Sequence, residues 1–273
     1  MIVAGNMPLH CGDTAKILGC EFTQTPLLDG DVYQIGFWGT ERLMFHKGKR
    51  ILHWVGSDIL QARDNPVFQQ TAKDLYNKHL CQTKSNQDEL KAMGIEADIC
   101  PLPPLLIAPT FLMPSPDKII SVYLPSNSSN YYDELMQELF TKLSGIQFLI
   151  HGNTAIKQPY RLGNMNFIGW QRGIMDTIKD SRIVLRFTRH DGFPKIPIEA
   201  MTAGRPVITN QDIDGAIKCE PEMEAICVRV ISVLADYGKA QADLVEPAKK
   251  WREALDHEKF RYTINSYFER TTK

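Results

Sequence analysis

The segment from 101 to 116, PLPPLLIAPTFLMPSP, places six prolines in sixteen positions and is otherwise largely apolar. Proline has no backbone donor and turns the residue before it away from helical angles, so this stretch is neither an ordinary helix nor a central strand. It divides the chain and reads as a linker between two domains, its apolar side chains suiting a linker pressed onto domain surfaces rather than a free tether. At 273 residues the chain has room for about two domains of roughly 150 residues each.

Short apolar, β-prone runs alternate with helical stretches on both sides of the linker. Before it, 1–4, 32–37, 51–55, 80–83 and 97–100 are predicted strands. Ser85, followed three residues later by Asp88, reads as an acidic variant of the capping box, and Gly94 ends the helix it opens. After the linker the predicted strands are 118–124, 146–150, 166–168, 182–187 and 206–209, and the predicted helices 131–143, 175–179 and 198–203. Leu135, Leu139 and Leu143 recur on one face of the first of these helices. Beyond 220 the pattern is helical, including 251–255 and 260–268. Such alternation implies an α/β fold of two Rossmann-like parallel-sheet domains with right-handed crossovers. The expected divisions are 1–115 with its linker at 101–116, then 116–250, then a C-terminal helical stretch over 251–273.

Hydrophobic residues at 43% and charged residues at 23% supply a real core and argue against disorder. The 31 basic and 32 acidic side chains nearly cancel, so no whole-molecule field draws the chain to nucleic acid or an anionic membrane. Six cysteines without a C-x-x-C pair leave out the usual zinc and thioredoxin spacings, and reduced, mostly buried thiols are expected. No basic region precedes the opening Met1-Ile2-Val3-Ala4-Gly5, and no apolar run approaches the roughly 18 residues of a membrane span. The expectation is a soluble, cytoplasmic protein with no integral membrane association.

In open α/β sheets ligands bind beyond the carboxyl ends of the strands. Residues 186 to 209, RFTRHDGFPKIPIEAMTAGRPVIT, end a strand in Arg189-His190-Asp191-Gly192, pass through Phe193-Pro194-Lys195, and start a helix near Pro197 with Glu199 in its first turn. Free N–H groups at the loop and helix start form a cradle for an anion. Asp191 and Glu199 project near it, and carboxylates accept hydrogen bonds from the vicinal hydroxyls of a ribose or hexose. Taken singly, these pieces are also what a helix cap and a packing glycine look like. Between 157 and 205 nine basic residues, Arg182, Arg186 and Arg205 among them, stand against four acids. Arg189 and Lys195 are the candidates for holding phosphate charge.

Two other strand ends carry polar residues. In Ile51-Leu52-His53-Trp54-Val55-Gly56-Ser57-Asp58 a strand meets a helix capped by Ser57, where Asp58 also suits a first-turn acid complementing the helix dipole and His53 suits a satisfied core histidine. Gly5 to Thr14 reads as a loop, in which His10 or Asp13 can serve chemistry and a turn with a cap equally explains Gly12, Asp13 and Thr14. Asp29-Gly30-Asp31 and Asp212-Ile213-Asp214 have metal-binding D-x-D spacing, but the first sits like an ordinary turn before a strand.

The 186–209 stretch resembles the retaining glycosyltransferases of the GT-B fold, glycosyltransferase family 4 in particular. Their signature, an acid, seven residues and a glutamate in E-A-x-A-x-G-x-P-V, reads here as Asp191, seven residues, then Glu199-Ala200-Met201-Thr202-Ala203-Gly204-Arg205-Pro206-Val207. The resemblance implies that Glu199 binds the ribose hydroxyls of a sugar nucleotide and that Asp191, where the family usually has Glu, contacts the donor sugar. Around the donor it places Arg189, Gly192, Phe193, Pro194 and Lys195. NFIGW at 166–170, with Gly169, resembles the strand and loop against the nucleotide base, and Gly12 stands where the family's glycine-containing loop nears the diphosphate. Asp58 stands where first-domain strand ends face the acceptor, so Asp191, Asp58 and His10 form the expected catalytic set. An Arg and Lys that many members carry after the first strand of this domain are replaced by Pro125-Ser126-Asn127-Ser128-Ser129. The C-terminal helices, with Trp251, Phe260, Tyr262, Tyr267 and Phe268, resemble the segment that crosses back to the first domain.

The implied reaction moves a sugar from a nucleoside diphosphate sugar to an acceptor hydroxyl with retention, with no metal and no cofactor. The partners are then the nucleotide sugar and an acceptor that is a glycan, lipid-linked glycan, small molecule or modified DNA base. Alternatives are a DNA-modifying transferase acting on a hydroxylated base, a sugar-nucleotide epimerase and a non-catalytic nucleotide-binding protein. Ten basic against twelve acidic residues up to 115 give the DNA reading no support.

Overall fold

The computed structural model describes residues 1–5, 7–24, 30–37, 47–104, 107–113, 117, 119–125, 131–152, 163–169, 174–190 and 192–269, without the side chains of residues 8–10. The chain forms two units. Met1–Leu105, Asp191–Phe193 and Leu255–Lys273 make the first, and Leu106–His190 with Pro194–Ala254 the second.

The first unit alternates β1 (Ile2–Ala4), α1 (Pro8–Leu18), β2 (Glu21–Thr23), β3 (Val32–Ile35), β4 (Arg50–His53), α2 (Ser57–Arg63), α3 (Pro66–Leu75), β5 (Lys78–Cys81), α4 (Lys84–Ala92) and β6 (Ala97–Ile99). The strands form one parallel sheet in the order β2-β1-β3-β4-β5-β6. Its middle strands are buried on both faces, which is why Val32-Tyr33-Gln34-Ile35 reads as a run without alternation. The buried polar members are satisfied locally: Gln34 Nε2 donates to the Gly36 carbonyl at 3.0 Å, and Tyr33 Oη lies 2.5 Å from His53 Nδ1.

The second unit runs β7 (Ile119–Tyr123), α5 (Asp133–Lys142), β8 (Gln147–His151), β9 (Met165–Gly169), α6 (Met175–Lys179), β10 (Ile183–Arg186), α7 (Lys195–Thr202), β11 (Val207–Thr209), β12 (Ile217–Lys218), α8 (Met223–Ala235), α9 (Tyr237–Ala242) and α10 (Val245–Ala254). Its parallel sheet has the order β12-β11-β10-β7-β8-β9. Leu139 and Phe140 of α5 and Ile226 and Val230 of α8 join Ile120, Phe148 and Leu185 in one core. A last helix, α11 (His257–Phe268), belongs to the first unit, where Phe260 and Ile264 enter the core of Val3, Tyr33 and Ile35. The two-sheet α/β architecture is as the alternation predicts.

Several local readings are corrected. Strand β2 was not expected, because three residues at a half-exposed edge carry too short a pattern. Strand β5 ends at Cys81, which frees Thr83 to cap α4: its Oγ1 accepts from Asn86 N at 3.2 Å, and Ser85 lies inside the helix. Helix α2 is preceded by Gly56 rather than capped by Ser57. Residues 8–14 are helix, not loop, because Pro8 suits the first helical turn. Helix α7 starts at Lys195, two residues before Pro197, so Glu199 stands beyond its first turn. The aromatic residues of the tail divide: Phe260 is core of the first unit, Tyr262 is 77% exposed, and Trp251 on α10 donates to the Asp214 carbonyl within the second. All six cysteines are free thiols.

Of the proline-rich segment, residues 101–104 belong to the first unit, where Leu102 is buried in the core, and 107–113 lie on the second. Leu112 N donates to the Ala203 carbonyl, and the wholly buried Arg205 donates to the carbonyls of Leu112, Met113, Ile178, Lys179 and Ala203. Arg252 adds bonds to the carbonyls of Ala108 and Thr202.

Candidate functional site

Chain order in the second sheet reverses between β7 and β10, the place where an open α/β sheet leaves a crevice at its carboxyl edge. Tyr123 ends β7 and Arg186 ends β10. The loop after β10 is braced from two sides. Tyr131 forms an antiparallel bridge to Thr188, and Asn210 exchanges bonds with Thr188, its Oδ1 accepting from Thr188 N at 3.1 Å and its Nδ2 donating to Thr188 O at 2.9 Å. Gln211 Nε2 donates to the same carbonyl at 2.8 Å, and Thr188 Oγ1 donates to His190 O at 2.7 Å. A loop so held presents its side chains from a fixed backbone.

Cations gather at this edge. The Arg186 guanidinium lies 4.7 Å from the ring centre of Tyr123 and 5.0 Å from that of Tyr131, and Arg189, exposed, lies 4.7 Å over Tyr132. Helix α7 opens at Lys195 with no acid in its first turn and no side chain capping it from Pro194, whereas α5 opens with Asp133 and Glu134. Because a helix start attracts negative charge and acids there repel it, an anion is favoured at α7 and disfavoured at α5. Burial and the neighbouring Glu134 raise the pKa of Asp133. Glu199 is half-buried on α7, and Phe193 and Gly192 are buried in the loop before it. Gly192 has a steric reason to be glycine: a Cβ there would lie 2.2 Å from the carbonyl oxygen of Val55, a residue of the same unit.

Gly169 closes β9, buried and at positive φ, and its carbonyl accepts from Gly152 N at 2.9 Å. Beside Tyr123 in register, His151 pairs its Nε2 with Ser121 Oγ at 2.6 Å, and burial lowers its pKa to about 4, so the imidazole is neutral at pH 7. Asp191 and Trp170 lie outside the described residues, as do Lys157, Arg161 and Arg172. Of the other expected cations, Arg205 donates to carbonyls, Arg182 stacks on Tyr237 and Lys179 pairs with Asp176, while Arg186 ends β10, Arg189 follows it and Lys195 opens α7. Tyr123, Tyr131 and Tyr132 were not singled out from sequence; the carboxyl-end rule applied to β7 points to them.

In the first unit Asp58 is 1% exposed and bonded on both oxygens. Oδ2 accepts from Phe37 N at 3.1 Å, and Oδ1 from Val55 N and Ile59 N at 3.0 Å each. These bonds tie the turn after β3 to the turn after β4. Burial pushes the carboxyl up to about 6 against the pull of those amides. His53 is a buried partner of Tyr33, as expected from the sequence. Gly12 stands in the interior of α1, and His10 lies on the same helix with its side chain outside the description. Asp214 of the second D-x-D pair lies 3.5 Å from Lys250 Nζ. Among the described residues no three His, Cys, Asp or Glu side chains are grouped to hold a metal, and no helix is long and apolar enough to cross a membrane.

No protein-family model matches the chain, and no curated protein matches it by sequence. Solved structures do match by shape. HepE from Anabaena, in complex with UDP and glucose, superposes with a TM-score of 0.74 at 11% identity over 97% of this chain and 98% of that one. Sucrose-phosphate synthase from Thermosynechococcus elongatus gives 0.69 at 12% identity over 87% and 72%. TarM from S. aureus, in a complex that includes UDP, gives 0.69 at 16% identity over 88% of this chain, which spans 55% of TarM's length. At such identities the likeness shows the fold: two Rossmann-like domains of the GT-B kind.

Proposed function

We propose that the chain is a glycosyltransferase that moves a sugar from a nucleoside diphosphate sugar to an acceptor hydroxyl with retention. One observation carries this reading. The Asp191 to Glu199 spacing runs from the β10–α7 connection into α7, beside the reversal point of the second sheet, in a fold shared end to end with a protein solved with UDP and glucose. On this reading Glu199 accepts from the ribose hydroxyls and Asp191 contacts the donor sugar. The bond from the anomeric carbon to the diphosphate breaks with its electron pair on the phosphate oxygen, the acceptor hydroxyl oxygen bonds to that carbon from the same face, and the hydroxyl proton passes to the released diphosphate. The N–H groups opening α7, together with Lys195 and Arg189, stabilise that charge from fixed positions. Asp58 acts as a positioning residue through the two turns it holds, since its oxygens are engaged by amides.

The test is a calorimetric panel of UDP-, ADP- and GDP-sugars, followed by product analysis with and without candidate acceptors. Binding of one donor and transfer that depends on acceptor are the expected results. Rearrangement of donor without acceptor would support an epimerase, and tight binding without turnover on any acceptor a nucleotide-binding protein. Transfer is also expected to persist in excess chelator, because the proposed charge stabilisers are amides and guanidinium or ammonium groups. Activity lost to chelation and restored by manganese or magnesium would move the leaving group onto a cation.

A further inference from the structure

Helix α8 is apolar on both of its faces. Of its thirteen residues, Met223 to Ala235, only Glu224, Arg229 and Ser232 are polar. Ile226, Val230 and Val233 enter the core of the second unit, and a helix at a protein surface ordinarily needs one such stripe and is charged on the other side. Here the outer side carries Glu224, Val228, Ile231 and Ala235 at helical spacing, with Val228 68% and Ile231 57% exposed. One exposed aliphatic side chain is ordinary, whereas two neighbours on one stripe mark a surface that gains from being covered.

The charges around the stripe select what covers it. A groove of about 560 Å³ runs beside it, in which Lys218 of β12 and Arg229 stand with Glu220, Glu222 and Glu224 next to Val228. Among the described residues these five exposed charges form no ion pair within the chain. Their signs are also separated along the helix, since the three acids precede and open α8 and Arg229 stands further along it. A surface that pairs with its own copy about a two-fold axis must carry both members of each charge pair, and this one does. Two α8 helices crossing antiparallel at Val228 lay stripe on stripe, Ala225 of each toward Ile231 of the other. The same crossing turns the acidic end of each helix toward Arg229 of the other. A partner surface of a single sign would set like charge against either the acids or the bases.

We propose that the outer face of α8 and the groove beside it form a two-fold interface between two copies of this chain. The interface does not depend on the donor reading, because none of its residues belongs to the proposed donor site. One helix pair with its groove falls at the small end of specific interfaces, below roughly 1,200 Å² in total, so the dimer is a weak one whose population rises with concentration.

Sedimentation equilibrium on the whole chain over a wide range of concentrations tests it. The wild-type mass is expected to rise from one copy toward two. Val228→Glu puts a charge at the centre of the apolar stripe and is expected to weaken pairing by roughly tenfold or more. Arg229→Glu and Glu224→Arg each set like charges against one another across the two-fold axis and are expected to weaken pairing when alone. An equal mixture of those two variants is expected to regain it, because every facing pair is again of opposite sign. All three positions are exposed, and circular dichroism checks each fold; if Val228→Glu does not fold, the two charge reversals carry the comparison. A wild-type chain of one-copy mass at every concentration overturns the interface. A dimer that a folded Val228→Glu chain retains undiminished overturns it as well, and so do charge reversals that pair no better mixed than alone.

Discussion

Glu199 stands half-buried beyond the first turn of α7, its backbone carbonyl accepting from Thr202 Oγ1 at 2.9 Å. Removing its carboxylate leaves that bond and the helix in place, since alanine is the best helix former. Glu199→Ala is therefore expected to fold normally and to weaken donor binding roughly 10- to 100-fold, the worth of hydrogen bonds to a charged acceptor. Wild-type donor affinity in the variant would remove the ribose assignment. Asp58 makes a different kind of prediction. Its folded pKa of about 6 lies above that of an unfolded aspartate, so the fold prefers the protonated acid. The associated stability is present below about pH 4 and lost as pH rises through 6, by at most about 3 kcal/mol. Asp58→Asn is expected to flatten this part of a stability-against-pH curve measured by urea unfolding; an unchanged slope would place the titration elsewhere. The spacing of Asp191 and Glu199 was legible because it is local in sequence. Arg186 and Arg205 were not told apart, since both are bases in one stretch. What separates them is tertiary: one reaches two tyrosines at a strand end, the other five carbonyls in the interior.

At the scale of elements, strands in the middle of each sheet were legible because burial on both faces leaves uninterrupted apolar runs such as Ile51-Leu52 and Val184-Leu185. Edges and caps were not, because β2 is three residues long and the α4 cap depends on where β5 stops. Helix α1 is the instructive miss. Its glycine suggested a loop, yet Pro8 starts the helix and Gly19, at φ 68°, ends it in the left-handed conformation. Gly12 stands in a helix interior, where glycine is a weak helix former, and nothing lies within 4 Å of the Cβ it lacks. Gly12→Ala is expected to stabilise the first unit by about 0.5–1 kcal/mol, raising its melting temperature by about 1–4 °C without changing donor affinity. A variant of normal stability with weakened donor binding would return Gly12 to the site, as the family resemblance implies.

At the scale of the molecule, the chain leaves its first unit within the proline-rich segment, rejoins it briefly over Asp191–Phe193 and returns to it for good at Leu255. The return is an integral part of that unit's packing. Phe260 and Ile264 are buried with Val3, Tyr33 and Ile35, Arg261 Nε donates to the Ile17 carbonyl at 2.8 Å, and Tyr267 Oη donates to Asp98 Oδ2 at 3.0 Å. Lys49 Nζ reaches the carbonyls of Tyr267, Phe268 and Glu269, a cation at the negative end of α11. Burying the two apolar side chains alone contributes about 3–6 kcal/mol, a large share of a domain's net stability. Deleting residues 257–273 is thus expected to destabilise the first unit selectively. Hydrogen exchange measured by mass spectrometry should show lost protection in peptides from 1–105 and retained protection between 119 and 250. Because Glu199, Arg189, Lys195 and the amides opening α7 lie in the second unit, donor affinity should stay within about threefold of wild type while transfer falls at least tenfold. A truncated chain with full transferase activity and native exchange throughout 1–105 would show that α11 is dispensable to the unit it joins.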